Sequence, residues 1–415
     1  MVLLGLVQRC FRKELAVGRS EVGIAVIGTG QRGFAFARFL VGEEPGARLV
    51  AVCDADRNRA GSVARMLGAE GLLLETDWRR VLDNEEVNAV VIATPDHVHE
   101  EVVIPAMEAD KHIFLEKPME TTLDACGRIA RRAKGYGKVF QLGYVLRYAP
   151  FYKKLHQLIH SGELGQVVSV EAKELVRYRH GASYARRWHR SSEKSGGLLL
   201  TKCCHDLDIL NWVSGSRPAR VVSFGGTNFF RPNPKLPQLC RDCEEECDFR
   251  FDPRDAFVLI TPEELEELDS RRMDLCVFNA DKDIVDNQSA IIEYENGLRA
   301  IFSVTLFSPR ETRTCFVSGT KGEVAGDFGR GRLILTRPGS SKEKVISVES
   351  YGGGHAGADK NTWRDFIRHI LDGTKPQAGA EEGFESALVA LAADMSRHSG
   401  TAVELGKLRE QYLAQ

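Results

Sequence analysis

Glu116-Lys117-Pro118 closes the apolar run from Lys111 to Leu115, a pattern that predicts a strand ending in an open site. A lysine there is chemically useful. Its ammonium is strongly hydrated in water, and partial burial is expected to lower its pKa toward the range where it exchanges protons near neutral pH. Pro118 restricts the backbone beyond it, and X-Pro bonds are where cis peptides occur.

A second constellation precedes it. Val22 to Ile27 is a short apolar run of the kind that forms a buried parallel strand. Gly28-Thr29-Gly30-Gln31-Arg32-Gly33 follows at once, and Phe34 to Val41 reads as a helix. The first glycine permits the tight turn, the second lets backbone approach a pyrophosphate, and the third lets helix and strand pack closely. The phosphates would sit at the helix N-terminus. The next apolar run, Leu49 to Cys53, ends in Asp54, at the spacing where a carboxylate accepts from adenosine ribose hydroxyls. Asp54 would repel a 2′-phosphate, which favours NAD over NADP. Arg57 and Arg59 could soften that preference, or be solvated surface charges. The competing reading is a βαβ unit without nucleotide.

These residues need a scaffold. Strand and helix runs alternate through the first third: Ala89 to Ala93 is a strand ending in Thr94-Pro95-Asp96, Val98 to Glu108 a helix, and Lys138 to Gln141 a further strand. Such alternation predicts an α/β fold, a doubly wound parallel sheet with ligand at the carboxyl ends of its strands. Gly28 to Gly33, Thr94, Pro95 and Lys117 should share one crevice. His97 and His99 lie there too, as ligand contacts or as solvated or helix-capping groups.

After Tyr144 the pattern changes. Ala149 to Ser161 reads as a helix and Val167 to Val176 as a strand. Ala290 to Tyr294 and Arg299 to Thr305 alternate in the half-buried manner around an Asn296-Gly297 hairpin turn, and Cys315 to Gly319 and Arg332 to Thr336 continue it. This predicts an open-faced, mainly antiparallel sheet. Trp363 to Leu371 and Gly383 to Ser399 read as helices. The expected divisions are an extension over 1–20, a nucleotide-binding domain over 21–143 and a second α/β domain over 144–415. The last contains a Cys-rich insertion near 232–271 and a C-terminal helix that packs back on the first domain.

The chain has 415 residues, enough for two domains and a large core. Its 56 Lys and Arg balance 58 Asp and Glu, so nothing argues for nucleic acid or an anionic membrane surface. No apolar stretch approaches the ~20 residues of a membrane span. In the first 20 residues the basic groups Arg9, Arg12 and Lys13 follow the apolar part, the reverse of a secretory signal. The 10 cysteines are scattered, and a cytoplasmic location is expected.

Cys240, Cys243 and Cys247 are the exception to that scatter. Three thiolates at this spacing, in an acidic loop, could bind a structural zinc with a fourth ligand such as Cys276 or Cys204. The alternative is reduced thiols without metal.

With these motifs in view, the chain resembles the Gfo/Idh/MocA family of oxidoreductases, which includes glucose-fructose oxidoreductase and inositol dehydrogenases. The resemblance runs from about Glu21 onward. It rests on Gly28 to Gly33, Thr94 to His99, Glu116-Lys117-Pro118, Ser195 to Asp208 and Gly319 to Glu323. It implies a Rossmann domain, a C-terminal α/β domain that often makes oligomer contacts, a nicotinamide cofactor, and a cis Lys117-Pro118 peptide. It also implies a catalytic pair, Lys117 beside substrate and nicotinamide, and His205 as the acid-base group. The cofactor set becomes Gly28, Thr29, Gly30, Gln31, Arg32, Gly33, Asp54, Thr94, Pro95, His99, Glu116 and Lys117. One departure stands out: the aspartate that usually precedes the histidine by four residues is Thr201 here, and a hydroxyl supplies no charge. Lys202, Asp206 or Asp208 could compensate, although acids opening a helix also simply favour its dipole.

The expected reaction is NAD-dependent hydride transfer at a secondary alcohol of a sugar, cyclitol or glycoside. His205 takes the proton and Lys117 stabilises charge on the same oxygen. Tyr144, Arg147, Trp188, His189, Arg190, Lys202 and Asp206 are expected to bind substrate, an aromatic face with polar donors suiting a sugar. For Trp188, ordinary core packing is the alternative. Two other functions are open: cleavage of a glycosidic bond by transient redox with tightly held NAD, and a non-catalytic NAD-binding sugar sensor. The expected partner is a small carbohydrate or cyclitol, in a homo-oligomer.

Overall fold

The order of strands follows from which faces are apolar. Val22–Ile27 (β1) is buried along its whole length, as a strand covered on both faces must be. It lies between Ala47–Cys53 (β2) and Ala89–Ile92 (β4), parallel to both. Leu73–Glu75 (β3), His112–Leu115 (β5) and Phe140–Leu142 (β6) complete a sheet of order β3-β2-β1-β4-β5-β6, all parallel. The order reverses between β1 and β4, and a ligand crevice opens at such a reversal outside the carboxyl ends. The computed structural model describes residues 21–42, 44–69, 71–252, 274–340, 342–349 and 354–414. The extension expected over 1–20, and the insertion beyond 252, lie outside the described residues.

The second sheet has nine strands in the order β14-β13-β12-β11-β7-β10-β9-β8-β15. Its members are Val167–Arg177 (β7), Pro218–Gly226 (β8), Asn287–Tyr294 (β9), Arg299–Ser308 (β10), Thr312–Gly319 (β11), Gly322–Asp327 (β12), Arg332–Thr336 (β13), Lys344–Ser347 (β14) and Val403–Glu404 (β15). The Asn296-Gly297 turn joins β9 to β10 antiparallel, with Gly297 at φ +83°. The mainly antiparallel expectation holds with one exception: β7 and β10 run parallel. A parallel pair needs a crossover, and the long chain between these strands supplies it.

One face of this sheet is covered by the helices Ala380–Ser399 and Cys204–Ser214. The other exposes Phe224, Ile291, Ile301 and Phe316. Ile301 pairs with Ile291 on one side and with Glu171 on the other, and Glu171 pairs with Phe316, so three of these apolar residues lie in one cross-strand row. The Leu405–Leu413 helix lies against Leu123–Ala133 beside the first sheet, so close that a Cβ on Gly127 would stand 2.6 Å from the Tyr412 carbonyl. Among the described residues, no helix is long and apolar enough to cross a membrane.

Candidate functional site

The glycine turn is shaped by contacts that exclude side chains. Gly28 sits at φ +88°, and a Cβ on Gly33 would lie 1.9 Å from the Gly28 carbonyl. Gly30 is the reverse case, with open space where its Cβ would stand. That space, at the start of the Gln31–Val41 helix, is the cradle a pyrophosphate requires. Asp54 ends β2 beside it. Its Oδ2 accepts from the Thr29 amide and hydroxyl, each at 2.8 Å, and its Oδ1 from the Asp56 amide. Thr94 Oγ1 is buried without a protein partner at the end of β4. Glycine cradle, oriented carboxylate and orphaned hydroxyl together fit a dinucleotide.

Arg32 and Glu116 have structural partners. The Arg32 guanidinium donates to Glu116 Oε1 at 3.0 Å and to Asp359 Oδ1 at 3.0 Å. His99 is buried, with Nδ1 2.9 Å from the Pro118 carbonyl and Nε2 3.1 Å from the Thr94 carbonyl. Both ring nitrogens are therefore engaged, and His99 ties the two motifs together instead of offering a free nitrogen to a cofactor. The Lys117-Pro118 peptide is cis.

Lys117 Nζ donates to the Thr201 carbonyl at 2.7 Å. Its pKa corrects the expectation of a lowered value. Burial pulls it down, but the neighbouring Cys204, Tyr184 and Asp96 outweigh that and hold it above the ordinary lysine range. Lys117 is thus a lasting ammonium, suited to stabilising an oxyanion more than to releasing its proton. His205 has the opposite bias: burial, then the Lys117 charge, pushes its imidazole well below the ordinary histidine value. It is a neutral base, and its buried Nδ1 has no partner. The helix expected from Asp206 begins at Cys204, which places His205 in its first turn.

Around this pair stands an aromatic wall. Tyr144 is buried, with its ring centroid 5.9 Å from that of His205. Trp188 stacks on His189 at 3.8 Å, Tyr184 lies 4.9 Å from His189, and His97 meets the Trp188 edge at 6.2 Å. His97 Nδ1 and His189 Nδ1 are buried orphans, like His205 Nδ1. A polyhydroxy ligand would satisfy such atoms.

The structure gives four expected substrate ligands partners inside the protein. Arg147 is locked in a buried pair with Asp208, at 2.7 and 2.8 Å. Lys202 Nζ is 2.7 Å from Glu174, and Asp206 takes Arg313 Nε at 2.8 Å. Arg313 also pairs with Glu174, so Lys202, Glu174, Arg313 and Asp206 form one internal network. Neither Asp206 nor Asp208 is free to support His205. Arg190 turns away to carbonyls of Asp281, Arg186 and Arg187.

The cysteine expectation fails in geometry. Cys240, Cys243, Cys247 and Cys276 line one cavity of about 430 Å³, yet their sulfurs do not converge as a ligand set. Arg186 intrudes, its guanidinium 3.7 Å from Cys240 Sγ, and a fixed cation opposes a metal ion. Among the described residues the convergent trio is Glu174, Cys203 and Asp206. Lys202 and Arg313 already neutralise it.

Sequence reasoning missed His355. It precedes the Ala358–Asp372 helix at φ +50°, its ring 5.5 Å from His205 and its Nδ1 3.2 Å from Asp359 Oδ1. No pattern in the sequence marks it, since it lies far from the other motifs along the chain.

Residues 22–144 match the family described as "Oxidoreductase family, NAD-binding Rossmann fold", and residues 156–405 match "Oxidoreductase family, C-terminal alpha/beta domain". The putative oxidoreductase YteT of Bacillus subtilis is 31% identical over 330 residues, covering 72% of this chain and 77% of that protein. The scyllo-inositol 2-dehydrogenase (NAD(+)) of the same organism is 32% identical over 218 residues, 52% of this chain and 60% of that one. In three dimensions the chain resembles levoglucosan dehydrogenase in complex with NADH and L-sorbose. The TM-score is 0.74 at 19% identity, over 93% of this chain and 99% of that one, a likeness of fold.

Proposed function

The chain belongs to the Gfo/Idh/MocA oxidoreductase family, and from that premise we propose that it oxidises or reduces a secondary alcohol of a sugar or cyclitol, using NAD. One observation carries the reading: a neutral buried imidazole with an unpartnered Nδ1, His205, stands within the field of a permanent ammonium, Lys117. Bound NAD supplies the hydride acceptor, and NADH the donor, at the alcohol carbon. Lys117 donates to the alcohol oxygen and stabilises its developing charge, while the His205 imidazole takes the proton. Gly28 to Gly33 hold the pyrophosphate, Asp54 the ribose hydroxyls and Thr94 the nicotinamide end. Asp54 supports NAD over NADP, since a carboxylate at the end of β2 would repel a 2′-phosphate. His97, Trp188 and His189 line the substrate side. A spectrophotometric screen of sugars, inositols and glycosides with NAD and NADP tests this; no turnover with any of them, in protein that binds NAD, would overturn it.

A second reading is favoured by the imidazoles. Simple alcohol oxidation needs one proton acceptor, whereas His97, His189 and His205 each hold a buried nitrogen without a protein partner and His355 stands behind. Extra acid-base groups suit transient oxidation that acidifies a neighbouring C–H and expels a glycosidic leaving group, with no net redox. Release of aglycone without accumulation of NADH distinguishes it.

The two matched segments support the division into domains over 21–143 and 144–415. The apolar row on the open sheet face supports a homo-oligomer through that face, which light scattering would read. The nine described cysteines, all free, support a reducing, cytoplasmic setting.

A further inference from the structure

Lys117 lacks an obvious counter-ion. A half-buried ammonium needs one, yet its hydrogen bond goes to an uncharged carbonyl, that of Thr201. Three acidic groups raise its proton affinity, Cys204, Tyr184 and Asp96. Two of them cannot supply charge near neutrality: burial pushes the Cys204 thiol up to about 12 and raises the Tyr184 phenol above its ordinary value. Asp96 remains. It lies in the turn Asp96–Val98 just past β4, and only 7% of it is exposed. Its Oδ2 accepts from the Thr201 hydroxyl at 2.8 Å. Thr201 therefore touches both partners, its carbonyl taking Lys117 and its hydroxyl reaching Asp96.

We propose that Asp96 is the counter-charge and positioning residue of Lys117, coupled to it through Thr201, and that it does the electrostatic work of the carboxylate absent from position 201. This deepens the oxidoreductase reading and rests on it for its catalytic meaning. The carboxylate reaches the Lys117 neighbourhood from the first sheet, while Thr201 comes from the Leu198–Thr201 helix on the other side of the site. The coupling thus spans both halves of the crevice.

The surroundings of Asp96 agree. From the segment after β5 it meets Lys117 and Glu120, from the Cys204–Ser214 helix the Cys204 thiol, and from the Leu198–Thr201 helix the Thr201 hydroxyl. His99, on the helix that follows its turn, is occupied with two carbonyls. His97, in the same turn, faces Trp188. Glu193 and Lys194, on the Ser192–Ser195 helix packed against the turn, are exposed. Burial pushes the Asp96 carboxyl up to about 7, against the pull of Lys117 and Thr201. The support it lends Lys117 is therefore present above that pH and fades below it.

The test reads Lys117 directly. Competitive acetylation of the full chain, with and without NAD, followed by mass spectrometry of the Lys117 peptide, gives its titration curve without any turnover. In Asp96→Asn the Lys117 pKa should fall below that of the parent by about one unit. The double variant Asp96→Asn/Thr201→Asp should restore the parent value, which a merely structural role would not do. If Asp96→Asn does not fold, Asp96→Ser, which keeps a hydroxyl for Thr201, reads the same shift. Identical Lys117 titration in parent and in the folded uncharged variant would overturn the proposal. A shift in protein that turns over no sugar or cyclitol would uphold it while sinking the reaction assigned above.

Discussion

Arg32 and Asp359 join at 3.0 Å, one from the glycine turn and the other from the Ala358–Asp372 helix. Asp359 also holds His355, whose ring faces His205. A mechanical line thus runs from the nucleotide turn to the base. Burial opposes ionisation of Asp359, but Arg32 and His355 outweigh it and hold the carboxyl well below its ordinary 3.8. A depressed folded pKa means that the stability it contributes is present above that ordinary value and is lost as pH falls below it. Asp359→Asn should therefore cost about 1–2 kcal/mol near neutral pH, discounted because Arg32 is partly solvated. The gap to the parent should close in acid, as urea unfolding at the two pH values would show.

Lys117→Ala should lower kcat/KM by about 10²-fold or more, as loss of an oxyanion donor does. NAD affinity, read by fluorescence titration, should change little. Full turnover in this variant would remove the proposed chemistry.

His205→Ala should lower kcat by roughly 10²–10⁴-fold. Because the imidazole lies well below the ordinary histidine value, the parent should show no loss of rate attributable to His205 between about pH 6 and pH 8. Any acidic limb near pH 7 belongs to Asp96, and Asp96→Asn should abolish it. Steady-state pH profiles of parent and variants separate the two groups.

Arg313→Met should destabilise the fold by about 3 kcal/mol, because it leaves Asp206 buried without its cation and Glu174 with Lys202 alone. Chelator should leave the parent's melting temperature unchanged, since these two cations already occupy the place of a metal.

Gly181→Ala should cost about 1–3 kcal/mol. An added Cβ would stand 1.7 Å from the Leu306 carbonyl and push the Tyr178–Arg186 helix off β10. Trp188 and His189 follow that helix directly, so KM should rise along with the loss of stability.

Much of the first sheet was legible because each ligand-facing residue is fixed by the end of an apolar run. Gly28 to Gly33, Asp54, Thr94 and Lys117 are read that way. The misreadings have a common cause. Arg147 pairs with Asp208 across 61 residues and Asp206 with Arg313 across 107, and no local pattern reveals such partners. Without them, a buried charge looks like an unspent ligand. The pKa direction of Lys117 was missed for the same reason: burial was inferable, the neighbouring Cys204, Tyr184 and Asp96 were not. The parallel pairing of β7 and β10 was hidden because alternation along a strand is the same whichever way its neighbour runs.

Tyr184, Trp188, His189, Thr201 and His205 all lie between the end of β7 at Arg177 and the start of β8 at Pro218. The sheet pairs each of these strands with others, so its register does not depend on what that one excursion contains. Lys202 and Asp206 pin the excursion to Glu174 on β7 and Arg313 on β11. The molecule is therefore built like a socket with an exchangeable plug. A graft of residues 178–217 could carry a new specificity onto the same frame, provided that Glu174 and Arg313 remain to receive it.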